Sequence, residues 1–545
     1  MNPAEMSSEM ISSGNSYLLL DRYLGKNAER SPKKAFIVHG KATISYGELN
    51  DHSRSLAWFL HRQGIGRGDR VALLLENSIE YLISLLGIMR SGAIAVPMSN
   101  QHTVRSARIL FRDFEPSAVI LRKKMIGTLE ATLDDTSSIR VMIEADRPFP
   151  YGVNKEYGQT CNEPSTSDGR RNFRLSDIGS EDTFRRVPPG NPLSDIAMII
   201  YTSGTTGSPK GVVLTHENIV SNAFSIIRYL GLSDSDSVMV VLPFHYSYGN
   251  SLLTTHLISG GTLVLENNFL FPNVVLEKMV ESGVTGFAGV PSTYSLLLKK
   301  SNLRALRFPR LRYVTQAGGA MSPVIADQLQ AALPGTDVYI MYGQTEATAR
   351  LTWLDPSDLK RKIGSIGKAI PGVTITLTKE NGMEAGPGEV GEIVARGGNI
   401  MSGYWKNPEE TAKVLHPDGL HTGDLARKDD EGFLYIVGRR SDMIKSGAHR
   451  ISPKEIEEAI LELQGVGEAA VTGMPDEILG EAVHAVIVAA EGANLDEKGV
   501  ILHCRECLPA YKVPKKVVFV ESLPKTASGK VKRLDLPEMV KGARR

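Results

Sequence analysis

Cysteine is scarce: three residues in 545, Cys161, Cys504 and Cys507. Three cannot build a disulfide framework for a chain of this length, so a reducing compartment suits it and a cytoplasmic location is expected. Cys504-Arg-Glu-Cys507 has CxxC spacing. A lone pair specifies neither a metal nor a redox site, and the two are read as plain helix residues. Long apolar runs are missing too. Stretches such as Tyr81 to Met89 are too short to span a bilayer, and Met1 to Ser16 lacks the apolar core of a signal peptide. Nor does one sign of charge prevail: Lys+Arg 62 against Asp+Glu 61 leaves +1. A nucleic-acid partner would call for a basic excess, so none is expected. At 42% hydrophobic and 23% charged, the composition excludes a disordered, collagen-like or coiled-coil chain. A large enzyme or binding protein is left, of about three to four domain-sized units by length.

From Lys34 to about Leu121, short apolar strands alternate with helical patterns. Residues 147–192 hold Pro-Phe-Pro, a Ser/Thr-rich run and Pro188-Pro189-Gly190, which read as a linker. The alternation then resumes to about Tyr342. Val71-Ala-Leu-Leu-Leu, a helical pattern and Ser91 to Val96 repeat in layout as Val238-Met-Val-Val-Leu, a helical pattern and Ser259 to Val264. Each reads as strand, crossover helix, parallel strand. Two similar α/β halves separated by the linker are therefore expected. Ile366 to Gly438 is rich in Gly and short β runs and reads as a small β subdomain. An α+β pattern follows, with Ser452-Pro453-Lys454-Glu455 as a capped helix start. Tyr511 to Arg545 carries 10 Lys/Arg against 3 Asp/Glu.

The strongest chemical signal is Tyr201-Thr-Ser-Gly-Thr-Thr-Gly-Ser-Pro-Lys-Gly211, which follows the apolar strand Ile196 to Ile200. Its glycines let the backbone turn tightly and expose N–H groups, while hydroxyls and Lys210 add donors, as polyphosphate oxygens require. It is not a Walker A loop, because no Gly-Lys-Ser/Thr closes it. A surface linker of this composition would not need the Thr-Thr pair, the single Lys and the buried strand together. A second signal is Met341-Tyr-Gly-Gln-Thr-Glu-Ala347 after an apolar strand. Open α/β sheets bind ligands at such strand ends. Tyr342 could stack on a flat ring, Thr345 could bond a phosphate, and Glu346 is a hard oxygen ligand suited to Mg²⁺. A third is His421-Thr-Gly-Asp424, followed by Gly438-Arg439. A carboxylate there can accept from two vicinal hydroxyls, and Arg439 can bond sugar hydroxyls or balance phosphate charge. A satisfied loop Asp is the plain alternative. The fourth is Lys530, in Leu523-Pro-Lys-Thr-Ala-Ser-Gly-Lys530, where a loop of small residues could bring an ammonium into a cleft.

Together and in this order, these motifs resemble the adenylate-forming superfamily: acyl-CoA synthetases, adenylation domains of nonribosomal peptide synthetases and beetle luciferases. The resemblance runs from about Ser31 to Arg533. It implies an α/β fold with a large N-terminal domain, 1–440, of two α/β subdomains plus a β subdomain at about 366–438. A mobile α+β lid, 441–545, carries the catalytic lysine. By position, Thr202, Ser203, Gly204, Thr205, Thr206, Gly207 and Lys210 are similar to the phosphate loop. Gly318, Gly319 and Ala320, with Tyr342 and Gly343, resemble the adenine and acyl-pocket strands. Thr345 and Glu346 match the phosphate and Mg²⁺ residues, Asp424 and Arg439 the ribose contacts, and Lys530 the lysine that bridges carboxylate and α-phosphate. The resemblance implies ATP and Mg²⁺ as cofactors and coenzyme A as co-substrate. It also implies a lid rotation that withdraws Lys530 and brings in the 445–450 loop, including Lys445 and Ala448.

Two positions depart from the family pattern. Ser441, followed by Asp442, stands at the usual Asp or Lys hinge, and Ala448 stands at the usual glycine facing the incoming thiol. One methyl there would narrow the thiol channel and leave adenylation untouched. Pro243-Phe-His-Tyr-Ser-Tyr-Gly-Asn250 matches the acyl-pocket segment and holds no Asp for an α-ammonium, whose burial without a counter-charge would be costly. An acid without an α-amine is expected. Small residues at Gly249, Gly318 and Gly319 tilt the expectation to a medium or long aliphatic acid, with aryl acids left open. His245 is read as gating near the substrate carboxylate, against a packed core histidine. The leading reading is an AMP-forming acid–CoA ligase. A ligase loading a carrier-protein thiol in trans is its nearest rival. A non-catalytic acyl-nucleotide binder would not need Lys530.

Overall fold

The computed structural model describes residues 19–145, 171–178, 195–202, 209–447, 449–490, 492–525 and 531–542. Among these, the strands form four sheets. A nine-stranded sheet runs Lys368–Ala369, Thr352–Leu354, Asp337–Tyr342, Tyr313–Gln316, Gly286–Gly289, Ser237–Val240, Thr262–Leu265, Ala35–His39, Ala42–Ser45. An eight-stranded sheet runs Gly403–Tyr404, Lys210–Thr215, Ile196–Thr202, Ile94–Pro97, Arg70–Leu74, Ala118–Leu121, Val141–Glu144, Arg171–Arg174. Their central strands are parallel and joined by helices; antiparallel strands close both edges of the first sheet and one edge of the second, whose other edge is parallel.

Both expected strand–helix–strand repeats form. Arg70–Leu74, helix Ile79–Arg90 and Ile94–Pro97 make one, and Ser237–Val240, helix Ser247–Ser259 and Thr262–Leu265 the other. Both helices are buried along almost their whole length in one continuous core; the first is apolar nearly all round, and the second carries buried Asn250, Ser251, Thr254, Thr255 and His256. Ser78 caps the first by accepting from the Tyr81 N–H at 3.1 Å. The repeats also grip each other. Asn77, just after the first strand, donates to Leu242 O at 2.9 Å and accepts from Phe244 N at 2.8 Å, which fixes the turn that carries His245.

The linker does not divide the sheets as expected. Strands Ala35–His39 and Ala42–Ser45, before it, belong to the nine-stranded sheet, and Ile196–Thr202 and Lys210–Thr215, after it, belong to the eight-stranded sheet. Each half thus lends a hairpin to the other. Within 147–192, Arg171–Arg174 is a strand, paired in parallel with Val141–Glu144. Its polar sequence hides this, because it is an edge strand and only Phe173 of the four is buried.

In the β region, Val373–Thr378, Val390–Gly397, Gly419–Lys428 and Leu415–His416 form a five-stranded sheet with Leu434–Arg439. Lys368–Ala369 and Gly403–Tyr404 instead extend the two larger sheets. The small C-terminal domain has its own sheet: His449–Ile451, Ile444–Ser446, Gly480–Ala489 and Val466–Asp476, with Lys516–Phe519 beside Gly480–Ala489. Helices Pro453–Glu462 and Glu497–Cys507 pack on it, and Cys504 fills its core as a plain helix residue.

One local expectation needs correction here. Ser452 does not cap its helix, because its hydroxyl donates to Val437 O of the neighbouring strand, and Glu455 pairs with Lys512 at 2.6 Å. Five of the seven described lysines and arginines of the basic run, Lys512 among them, pair with carboxylates. Lys515 pairs with Asp476, Lys525 with Glu468, Arg533 with Glu457 and Lys541 with Glu538. Among the described residues no helix is long and apolar enough to cross a membrane.

Candidate active site

The glycine-rich loop closes a hairpin. Thr202 ends one strand and Lys210 begins the next, and the two face each other in register. Ser203, Gly204, Thr205, Thr206 and Gly207 lie outside the described residues. The Lys210 ammonium forms an ion pair with Glu410 and lies 5.2 Å from the Tyr404 ring centre. Hydrogen bonds from Lys210 and then Lys413 hold the Glu410 carboxyl down at about 2.

Thr345 and Glu346 form a single 3-10 turn after strand Asp337–Tyr342. Glu346 Oε1 accepts from the Tyr404 hydroxyl at 2.9 Å, and its backbone oxygen accepts from Met401 N at 2.9 Å. Thr345 Oγ1 lies 3.3 Å from Ser247 Oγ, at the start of the buried helix. Gly343 admits no side chain, because a Cβ would stand 2.2 Å from Ala349 O.

Asp424 and Arg439 face each other on neighbouring strands. Asp424 therefore sits on a strand, not in a loop. Its carboxylate accepts from Arg439 Nε at 2.8 Å and from the Tyr342 hydroxyl at 2.6 Å. Burial and the adjacent Asp424 push the Tyr342 hydroxyl well up, and Asp424 raises Arg439. Two of the carboxylate's roughly four acceptor positions are filled, which leaves room for hydroxyls of a ligand. Tyr342 is thus tied through its hydroxyl to the ribose candidate, with its ring half-buried. Gly318, Gly319 and Ala320 form the turn after strand Tyr313–Gln316, where Gln316 Nε2 donates to Gly319 O at 2.8 Å.

His245 lies in the turn before the helix. Burial, and then His102, bring its imidazole down to about 4, so it is neutral at pH 7. Its Nε2 is buried and has no hydrogen-bond partner. The reasoning that glycines leave room for a chain fails at Gly249, because a Cβ there would stand 2.1 Å from Pro243 O. This glycine serves the close approach of two backbone segments. Cβ atoms at Gly318 and Gly319 would stand 3.2 Å from Val290 and Pro291.

Thr345, Glu346, Tyr342, Asp424, Arg439 and Lys210 are thus drawn into one network through Tyr404, Ser247 and short strand pairings. Lys445 is not joined to it by any hydrogen bond or ion pair among the described residues. It lies on the C-terminal sheet, with its N–H bonded to Glu481 at 2.6 Å. Lys530 and Ala448 lie outside the described residues. The neck of the Lys530 loop is described: Lys525 bridges Val531, Lys532 N donates to Pro524 O at 2.8 Å, and Arg533 grips Glu457 at 2.7 Å. Ser441 sits in the turn Arg440–Asp442, where Arg440 reaches back to Glu392 at 3.4 Å and Asp442 forward to Arg533 at 3.3 Å. Sequence reasoning missed Ser247, Tyr404 and Glu410. Ser247 stood inside a quoted motif. The other two act across 58 and 200 residues, which no local pattern reveals.

Residues 24–405 match the AMP-binding enzyme family, and residues 455–530 match the AMP-binding enzyme C-terminal domain. The chain belongs to this family, in its acid–CoA ligase branch. A feruloyl-CoA synthase of Amycolatopsis sp is 33% identical, covering 93% of this chain and 96% of that protein. A long-chain-fatty-acid–CoA ligase of Escherichia coli O157:H7 is 31% identical, covering 99% and 97%. The structure of o-succinylbenzoate coenzyme A synthetase (MenE) from Bacillus subtilis in complex with ATP and magnesium ion superposes with a TM-score of 0.79. It is 26% identical and covers 94% of this chain and 98% of that one. That likeness extends over both the large N-terminal and the small C-terminal domain.

Proposed function

We propose that this AMP-forming acid–CoA ligase joins a carboxylic acid without an α-amine to ATP in the network described, then passes the acyl group to coenzyme A. The supporting observation is that Thr345, Glu346, Asp424, Arg439 and Lys210 are held in one set of contacts through Ser247, Tyr404 and Tyr342, as the two reactants are anions and need neutralised charge. A carboxylate oxygen attacks the α-phosphorus, the bond to the β-phosphate bridge breaks, and pyrophosphate leaves. The thiol sulfur then attacks the acyl carbon, the bond to AMP breaks, and the thiol proton passes to water.

The donor set fits a hard cation. Glu346 is fixed through one oxygen by Tyr404, and its other oxygen can face Mg²⁺. That ion supplies neutralisation of phosphate oxygens. Thr202, Lys210 and Thr345 hold phosphates, Asp424 and Arg439 the ribose, and Tyr342 with Gly318 to Ala320 the adenine. Neutral His245 offers its unpartnered Nε2 to the substrate carboxylate. Lys530 bridges that carboxylate and the α-phosphate from its anchored loop. The domain boundary falls in the Arg440–Asp442 turn, and residues 441–545 rotate as a lid between the two half-reactions, bringing Lys445 and Ala448 toward the thiol.

A panel of acids with ATP and Mg²⁺ tests this. Acid-dependent AMP and pyrophosphate are expected. Coenzyme A, rather than a pantetheinylated carrier, is expected to yield the thioester seen by mass. Absence of AMP with every acid contradicts the proposal, and a thioester on the carrier alone reassigns the acceptor.

A further inference from the structure

Exposure changes abruptly along the elements that carry the candidate site. His245, Tyr246 and Ser247 are half-buried, as are Tyr342 to Glu346. One residue further along the helix, everything from Tyr248 to Ile258 is buried. Opposite it, Ala347 to Leu351 are buried too. Two side chains stand at that boundary: Tyr248, 8% exposed, and Arg350, 2% exposed.

The pair is rigidly held. The Arg350 guanidinium lies over the Tyr248 ring at 4.1 Å. The Tyr248 hydroxyl bonds Thr315 O at 2.9 Å and Thr315 Oγ1 at 2.8 Å. Arg350 Nε meets Met341 Sδ at 3.3 Å, and Nη1 donates to Ala349 O at 3.0 Å. Its partners are thus a ring, a thioether, a carbonyl and the Tyr229 hydroxyl, with no carboxylate in ion-pair range among the described residues. A buried guanidinium without a counter-charge is costly, and a cation–π contact offsets only part of that. Filling core space would need no charge. An arginine here keeps the tyrosine ring fixed against the sheet.

In the ligase reading the substrate carboxylate lies near His245, where Ser247 meets Thr345 at 3.3 Å, and buried Tyr248 is the next side chain along the helix. We infer that Tyr248, positioned by Arg350, closes the acid pocket next to the reacting groups, so the enzyme takes compact acids, with a short chain or a single ring, and excludes long acyl chains. This rests on the ligase reading above, and it replaces the long aliphatic acid expected from the glycines.

The test measures kcat/KM, by AMP release, for straight-chain acids of increasing length and for single-ring aromatic acids. Wild type should prefer the compact acids, and the two arms tell short chain from ring. Tyr248→Ala should raise the long-to-short ratio about tenfold or more, the scale of a few methylenes in a pocket. Arg350→Met should shift the ratio the same way by less, and Arg350→Lys should restore part of it, with KM for ATP unchanged in both. Should Tyr248→Ala fail to fold, Tyr248→Leu gives the same comparison. A wild type that prefers long chains, or variants that keep its length profile, would overturn the inference. So would a preference for acids with a second carboxylate that Arg350→Met abolishes, since Arg350 would then be their counter-charge. Wild type that releases AMP with no acid at all removes the ligase reading itself.

Discussion

Glu346 and Asp424 each spend part of their acceptor capacity on a tyrosine hydroxyl, from Tyr404 and Tyr342 respectively. A hydrogen bond to a carboxylate fixes its rotamer before a ligand arrives, so less ordering is left for binding. Tyr404→Phe keeps the ring against Lys210 and removes only that hold. About tenfold more Mg²⁺ should be needed for half-maximal adenylation, the usual scale for a hydrogen bond to a charged group. A magnesium titration identical to wild type would remove Tyr404 from the site. Glu346→Gln should raise the requirement further, because it weakens the ligand itself. Glu346 was legible in the sequence because a strand-end Thr-Glu pair sits where α/β sheets bind ligands. Tyr404 was not, as its only signal is a contact made by a distant segment.

The two crossover helices were legible because each stands between two short apolar strand patterns, has crossover length and is followed by a Gly. The exchange of hairpins between the sheets was not, since periodicity says which residues form a strand and nothing about which sheet receives it. Arg171–Arg174 escaped for a related reason: an edge strand needs only one buried side chain. The helix Ser247–Ser259 also sets a pH response. Burial brings His245, just before it, and His256, within it, down to about 4. Above the ordinary value of 6.5 both are neutral, folded or unfolded, and the native state keeps its full stability. As pH falls from 6.5 towards 4, the unfolded chain takes up protons that the native chain refuses. Each histidine then forfeits stability on the order of 3 kcal/mol by pH 4. Urea midpoints at pH 7.5 and pH 4.5 should show this loss, and His256→Gln should flatten it. An unchanged slope in that variant would exclude His256 as a source.

At the scale of the whole molecule, the Arg440–Asp442 turn lies between the sheet of the β region and the C-terminal sheet and is anchored on both sides. Arg440 holds the N-terminal Glu392, and Asp442 holds Arg533, three residues beyond Lys530. A rotation about Ser441 would carry Arg533 and the C-terminal sheet together. Lys530→Ala should therefore nearly abolish acyl-AMP formation while sparing thioester formation from supplied acyl-AMP. Equal loss of both half-reactions would deny the lysine its separate role. The charge pairing of the basic C-terminal run was not legible in the sequence. Five of its seven described lysines and arginines pair with carboxylates within their own domain, which counting along the chain cannot show. Acid activation by adenylation, before any thiol takes part, is the central claim. It is tested most directly by exchange of labelled pyrophosphate into ATP with a compact acid, Mg²⁺ and no thiol. Rapid exchange that depends on the acid is the expected result. Exchange that needs coenzyme A, or none with any acid, would contradict it.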